Sequence, residues 1–251
     1  MTSRPPAQNF PPLHDLSRIP PGPVLIVAPH PDDEICGCGG AAVLHLRRGD
    51  PVHVALVTRG EAAGAADERL SESRAAARCL GLPEAECLDS RDGDVAGDDD
   101  LPRRLRELVE RVRPRIVYAP SPFEMHPDHV ATLHALVAAL DGRDEPTLLL
   151  YEVNAEGMAS FLLDITPVKT VKLEALEVFA SQLDRIDIVE KVDARNRART
   201  VNVDIPDITH AEAFMELTPA QVPEVLRQVE ALGALLGLSP RPSGDQEPPA
   251  G

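Results

Sequence analysis

The first half of the chain alternates short apolar runs with amphipathic stretches, which is the pattern of βα units around a mostly parallel sheet. The apolar runs predict five strands, at 23–28, 52–58, 86–88, 115–119 and 147–153. The amphipathic stretches between them predict four helices, at about 36–48, 67–81, 101–113 and 129–141. We therefore expect an α/β domain with a mostly parallel sheet and helices on both faces.

The second half of the chain is less regular. Its pattern predicts a helix at 169–182, a strand at 201–205 and a last amphipathic helix at 219–236. Residues 1–22 are rich in proline and are predicted to be an N-terminal extension, while 239–251 combine proline with polar residues and are predicted to be a disordered tail. One domain is expected between them, over 23–238, because 251 residues with 43% hydrophobic content can bury one sizeable core.

Two polar motifs each follow a predicted strand and precede a helix. Pro29-His30-Pro31-Asp32-Asp33-Glu34 comes directly after 23–28, and His126-Pro127-Asp128-His129 comes a few residues after 115–119. Open α/β sheets build their sites at the carboxyl ends of strands, so we expect the two motifs to meet there. Two imidazoles and a carboxylate would leave the fourth position of a zinc ion open for water. The pair of motifs predicts a metal-assisted hydrolase.

The first motif places two carboxylates side by side. Asp32 and Asp33 repel each other, so such a pair is favoured where a cation compensates or where both groups are solvated. In the second motif Asp128 is predicted near a helix N-cap and His129 in the first turn, so that His126 and His129 can face one cavity. For either motif alone, a structural turn or a helix cap is the alternative.

Together the motifs resemble the LmbE-like (PIG-L) family of zinc-dependent N-acetylglucosaminyl deacetylases. The resemblance covers most of 23–217, and it includes six further segments: Thr58-Arg59-Gly60-Glu61, Arg69-x-x-Glu72, Asp92-Gly93, Asp164-Ile165-Thr166, Ser181-Gln182 and Ala211-Glu212-Ala213-Phe214. It implies the family's Rossmann-like fold, with a metal site at the carboxyl ends of the strands. The motifs are specific for the family and much less so for any one substrate.

The resemblance also implies roles for the motif residues. It implies that His30, Asp33 and His129 bind one zinc ion per chain and that Asp32 is the general base that deprotonates the attacking water. It further implies that His126 stabilises the oxyanion or protonates the leaving amine, with Asp128 holding its ring. Imidazole and carboxylate ligands also accept iron, cobalt or manganese, so the sequence leaves the metal open.

Two further residues are expected to contact substrate. By resemblance Arg69 would hold the sugar or its attached group, although Arg74 and Arg78 lie on the same predicted helix and could be confused with it. The chain has no Trp and only two Tyr, so sugar stacking must rely on few side chains. Tyr151, at the end of a predicted strand, is the better placed of the two.

The net charge of the chain limits the classes of partner that it can bind. A formal net charge of −16 opposes binding to nucleic acid or anionic lipid, which require clustered Lys and Arg. No apolar run approaches the roughly 20 residues of a membrane span, so we expect a soluble, cytoplasmic protein without membrane insertion. The expected partner is a small amino-sugar substrate, and the sequence leaves a homo-oligomer open.

Four cysteines without Cys-x2-Cys spacing indicate neither a disulfide framework nor a thiolate zinc site. Cys36 and Cys38 lie among glycines, where small residues let a helix pack close to a sheet.

Three functions are open. The first is removal of an N-acyl group, most simply acetyl, from an N-acetylglucosamine-type sugar or its conjugate. The second is an amidase that uses the same site on a sugar-containing thiol conjugate. The third is a metal-binding scaffold without turnover, against which the presence of Asp32 argues, because ligation does not need it.

Overall fold

A computed structural model describes residues 11–141 and 143–237. Over these residues eight strands form one sheet in the order β1-β7-β8-β6-β5-β2-β3-β4. The strands are β1 Leu13–His14, β2 Val24–Ala28, β3 Val52–Thr58, β4 Glu86–Ser90, β5 Ile116–Pro120, β6 Thr147–Tyr151, β7 Phe161–Asp164 and β8 Ala211–Leu217. The helices are α1 Asp33–Arg48, α2 Ala66–Leu80, α3 Leu101–Val112, α4 Pro127–Ala139, α5 Lys169–Leu176, α6 Ala180–Leu183, α7 Ile188–Ala198 and α8 Val222–Leu235.

The sheet lies between two apolar layers, and β2 contributes to both. Val24 and Ile26 face the layer formed with α1, α2, α5 and α7, whereas Leu25 and Val27 face the layer formed with α3, α4 and α8. A strand buried on both faces has a continuous apolar sequence, which is why this run was recognisable. The predicted α/β class, with helices on both faces, is confirmed.

Close packing of α1 on the sheet depends on its glycines. A Cβ atom at Gly37 would lie 2.1 Å from the ring of Tyr151, and one at Gly40 would lie 2.6 Å from Ile165. Cys36 and Cys38 are buried in the same stretch. The expected role of these small residues in helix–sheet packing is confirmed.

Two elements of the second half differ from prediction. The predicted helix 169–182 is divided into α5 and α6, because the chain turns at Phe179 to bury its ring completely in the core. The predicted strand 201–205 is wrong: Val201 is 81% exposed, and these residues form turns and irregular chain. The strand of this region is β8, which pairs antiparallel with β6 and with β7 and lies between them.

The described part of the predicted N-terminal extension belongs to the domain. Leu13 and His14 pair in parallel with β7 at the edge of the sheet, and Ile19 is buried in the core. A domain boundary at residue 23 is therefore too late. Residues 1–10 and the predicted disordered tail 239–251 lie outside the described residues. Among the helices described, none has the length and apolar character needed to cross a membrane.

Candidate metal centre and active site

The two motifs meet at the carboxyl edge of the sheet. The first follows β2 and runs into α1, the second begins α4 after β5, and a third segment, the loop after β4, joins them. Side chains from the three segments form one cluster: His30, Asp33, Asp92, His126, Asp128 and His129. The strand-end rule used on the sequence placed both motifs correctly.

The three expected ligands converge on one carboxylate oxygen. Asp33 Oδ2 lies 3.1 Å from His30 Nδ1 and 3.1 Å from His129 Nε2, and it also accepts from the backbone N–H of His30 at 3.0 Å. Asp33 and His129 are buried, with 4% and 1% exposure. Their partners hold the pKa of Asp33 far below its ordinary value against the opposing effect of burial, so this carboxylate is ionised.

The second ring nitrogen of His30 contacts two more carboxylates. Its Nε2 lies 3.1 Å from Asp92 Oδ1 and 3.1 Å from Asp128 Oδ2. Burial lowers the pKa of His30, but hydrogen bonds to Asp128, Asp33 and Asp92 outweigh it and raise the pKa to about 12. Asp92 was noted in the sequence only for its resemblance to a family loop. Its position directly after β4 is the same signal that identified the two motifs, and that signal could have found it.

Asp128 contacts different groups from those expected. Its carboxylate accepts from the backbone N–H of Gly93 at 2.7 Å and of Val95 at 3.2 Å, besides contacting His30. Only its backbone N–H reaches His126, donating to Nδ1 at 3.2 Å. The expectation that the Asp128 side chain holds the His126 ring is therefore wrong for this structure, since that side chain joins His30 to the loop after β4.

His126 is less buried than His129 and lies beside two other imidazoles. Its ring centroid is 4.8 Å from that of His30 and 5.1 Å from that of His129. Burial and the positive charges of His30 and His129 lower the pKa of His126. A neutral imidazole at this place can accept or donate a proton near neutral pH.

Glu124 is a buried carboxylate that sequence reasoning missed. Its Oε2 lies 3.1 Å from His129 Nδ1, and its oxygens accept from the backbone N–H groups of Val153, at 2.6 Å, and Asn154, at 3.0 and 3.2 Å. Burial lowers the pKa of His129, but Asp33 and Glu124 outweigh it and raise the pKa to about 9. Glu124 thus orients the imidazole and ties it to the loop after β6.

Replacing Glu124 with Gln is expected to weaken divalent-metal affinity by about 10- to 100-fold, the usual cost of losing a carboxylate partner of a metal-binding histidine. The amide keeps the shape of the side chain but not its charge. The measurement is a zinc titration against a competing chelator. Glu156, which is exposed on the same loop as Asn154, offers Glu156→Gln as a control of equal charge change. Equal affinities in the two variants would contradict this role of Glu124.

Asp32 stands apart from the ligands in an unusual backbone conformation. Its φ is 113°, a region that non-glycine residues rarely adopt and that is found at functional sites. Its N–H donates to Glu34 Oε2 at 2.9 Å, and its side chain keeps 16% exposure. Burial and the adjacent charge of Asp33 raise the pKa of Asp32 well above its ordinary value. A carboxylate with a raised pKa is a stronger base than an ordinary one.

The two residues expected to contact substrate are both buried. Arg69 is only 2% exposed; its Nη2 donates to the Pro31 carbonyl oxygen and lies 3.3 Å from Asp32 Oδ2. Tyr151 is fully buried, and its hydroxyl donates to the Val27 carbonyl oxygen at 2.9 Å. These positions contradict a direct sugar contact for either residue. Arg69 supports the turn that carries Asp32, and Tyr151 packs against α1.

The donor set fits a divalent cation. Within the described residues, donor atoms of His30, His126 and His129 lie within 4.8 Å of one another, as do those of His30, Asp92 and Asp128. The carboxylates of Asp33, Asp92 and Asp128, whose negative charge raises the pKa of His30, would equally stabilise a cation. Mixed imidazole and carboxylate donors suit zinc and other first-row transition metals.

Comparison with known proteins shows the family to which the chain is similar. A model of the family described as "PIG-L: GlcNAc-PI de-N-acetylase" matches residues 25–140. The "Probable N-acetyl-alpha-D-glucosaminyl L-malate deacetylase 2" of Bacillus anthracis is 30% identical over 182 residues, which cover 63% of this chain and 80% of that protein. The crystal structure of the conserved protein TT1542 from Thermus thermophilus has a TM-score of 0.69 at 31% identity, covering 78% of this chain and 94% of that one.

A second similar structure has a different activity in its name. The crystal structure of GalB, the 4-carboxy-2-hydroxymuconate hydratase from Pseudomonas putida KT2440, has a TM-score of 0.69 at 26% identity and covers 79% of this chain and 97% of that one.

The fold and the site define a Rossmann-like α/β protein with a candidate metal centre at the carboxyl edge of its sheet. The chain belongs to the PIG-L (LmbE-like) family, as the two motifs predicted.

Proposed function

We propose that this protein is a zinc-dependent hydrolase that removes the N-acetyl group from an N-acetylglucosamine-type sugar or sugar conjugate. The observation that carries it is the convergence of His30, His129 and Asp33 Oδ2, at 3.1 Å, directly beside Asp32, a carboxylate with no part in that convergence. We therefore assign metal ligation to Asp33 and proton transfer to the adjacent Asp32.

Amide hydrolysis needs an activated carbonyl, a base for the attacking water and a proton donor for the leaving nitrogen, and the site has candidate side chains for each role. Bound at His30, Asp33 and His129, zinc would polarise the amide carbonyl and lower the pKa of water. Asp32 takes the proton from the attacking water. His126, the least enclosed of the three histidines, donates to the oxyanion or to the leaving nitrogen. Asp92 and Asp128 hold His30, and Glu124 holds His129.

The substrate class draws on the relatives' names. The Bacillus subtilis and Bacillus anthracis relatives are each named "Probable N-acetyl-alpha-D-glucosaminyl L-malate deacetylase 2", and another relative, from Thermococcus kodakarensis, is named a diacetylchitobiose deacetylase. These substrates share an N-acetylated glucosamine and differ in what is attached to it. We assign the shared part to this chain and leave the attached group to experiment.

The test is a screen of N-acetylglucosamine, its short oligomers and its conjugates, including thiol conjugates, with zinc-loaded protein. Acetate and free amine are expected in equal amounts. Conjugates should react faster than the free monosaccharide, because contacts remote from the amide can stabilise the transition state. Removing the metal with a chelator should abolish release. Turnover of phosphoesters or non-sugar amides alone would assign the site to another class of hydrolase.

Hydration of an unsaturated carboxylate is the second candidate, favoured by the likeness to the Pseudomonas putida hydratase. Both reactions add water to an electrophilic carbon with the help of a base. The two are separated by their products, because hydration releases neither acetate nor amine. Loss of the conjugated double-bond absorbance of a 2-hydroxymuconate-type probe, with every N-acetyl sugar inert, would favour the hydratase.

A further inference from the structure

Lys172 and Glu212 form a buried ion pair that contacts the middle of α1. Lys172 on α5 and Glu212 on β8 have side chains that are 1% and 2% exposed, and Lys172 Nζ lies 2.8 Å from Glu212 Oε1. Neither residue touches the metal donors or Asp32 in the contacts described above. A buried ion pair is a weak source of stability, because desolvation offsets the attraction between its charges. Its other contacts therefore indicate what it does.

Those contacts are with backbone groups at a break in α1. The helix is irregular at Cys38, where φ is −143° and ψ is 22°. Glu212 accepts from the backbone N–H of Gly40 at 2.7 Å and of Ala41 at 2.8 Å. Lys172 Nζ donates to the Cys36 carbonyl oxygen at 3.1 Å.

The pattern of these bonds is that of a bridge across the break. In a regular helix the N–H of residue 40 donates to the carbonyl of residue 36. Here Gly40 N–H and Cys36 carbonyl each have a charged partner, and the two partners bond to each other. Arg195, on α7, adds a second donor to the Cys36 carbonyl at 2.7 Å.

The segment before the break is the one that carries the site. Asp33, the carboxylate shared by His30 and His129, is the first residue of α1, and the break lies five residues later. The angle of the first turn of α1 relative to the rest of the helix therefore determines where Asp33 stands. Such angles are set where side chains insert into the helical hydrogen-bond ladder.

We infer that Glu212 and Lys172 are positioning residues for the metal centre: by bridging the break in α1 they fix the turn that presents Asp33. The inference rests on the proposed function only in taking Asp33 as a ligand. It assigns a role in the site to residues of α5 and β8, which lie outside the matched stretch 25–140.

The test is Co²⁺ binding to the full-length protein, followed by titration and by the visible absorption of the bound ion. Glu212→Gln keeps the size of the side chain and removes its charge. Its Co²⁺ affinity is expected to fall about tenfold, in the range seen when supporting residues around metal ligands are altered. Its absorption bands should shift as well, because the ligand geometry changes.

A matched control exists just beyond the carboxyl end of the same helix. Asp50 is also buried, accepting from His45 Nδ1 at 2.7 Å and from the Gly22 N–H at 3.0 Å. Asp50→Asn removes a buried charge that holds α1 without touching the break. It is expected to lower thermal stability while leaving Co²⁺ affinity and absorption as in the wild type. Equal effects of Asp50→Asn and Glu212→Gln on the bound ion would reduce Glu212 to a general stabilising residue and overturn the inference.

Arg195→Met covers the case in which Glu212→Gln does not fold. Arg195 is only partly buried, and its removal leaves Lys172 on the Cys36 carbonyl. A smaller loss of Co²⁺ affinity, with the same direction of band shift, is expected. Wild-type Co²⁺ parameters in both Glu212→Gln and Arg195→Met, or in Arg195→Met when it alone folds, would exclude the bridge. Failure of the wild-type protein to bind Co²⁺ or Zn²⁺ would instead contradict the proposed metal site itself.

Discussion

The Asp32→Asn variant is expected to retain its metal and its fold while losing turnover by a factor of about 10² to 10⁴, the usual contribution of a general base. Asparagine keeps the size of the side chain but cannot take up the proton. Asp32 lies outside the convergence of His30, Asp33 and His129, so its charge is not needed for ligation. The measurement is kcat on the best N-acetyl sugar found, together with metal content.

Asp99→Asn provides the control for the charge change, because Asp99 is exposed and lies next to the start of α3, at the opposite end of the loop after β4 from Asp92. It should behave as wild type. Near-native kcat in Asp32→Asn would show that another group takes the proton, and loss of metal in the same variant would make Asp32 a ligand rather than a base.

The second large effect is expected at His129. Its Nε2 faces Asp33 and its Nδ1 faces Glu124, so removing the imidazole takes away a donor that is held on both sides. His129→Ala should reduce metal content of the purified protein from near one ion per chain to a small fraction, with activity lost in proportion. Elemental analysis after dialysis measures this directly.

His134→Ala is the matched control, because His134 lies on the same helix with its side chain 49% exposed. Full metal content is expected there. If His129→Ala also remained fully loaded, the ion would be held elsewhere, and the set His30, Asp92 and Asp128 would be the next to examine.

The sequence predicted the fold and the meeting of the two motifs at one edge of the sheet, because both depend on local signals. Continuous apolar runs such as Val24–Ala28 mark strands buried on both faces, and polar motifs directly after them lie at the carboxyl edge of the sheet. The position of β8 had no such signal. Its pairing partners, β6 and β7, lie far earlier in the chain, and an antiparallel strand inserted between them cannot be inferred from periodicity.

The sequence also did not predict the direction in which individual side chains point. Tyr151 was correctly expected at the end of a strand, but only the packing of α1 decides that its ring turns inward against Gly37. Arg69 was correctly placed on a helix near the site, yet it lies beneath the turn of Asp32. Glu124 was missed because a single carboxylate in a loop carries no spacing that points to His129.

The place of β8 between β6 and β7 also bears on how the domain is assembled during translation. His30, Asp33 and His129 leave the ribosome well before residues 211–217, and until those residues arrive the apolar strand Leu148–Tyr151 has no partner on one side. Exposed strand edges of this kind pair readily with other chains. During synthesis, the site residues are therefore present in a sheet whose β6 edge is still unpaired, and that edge is covered only when β8 has been made.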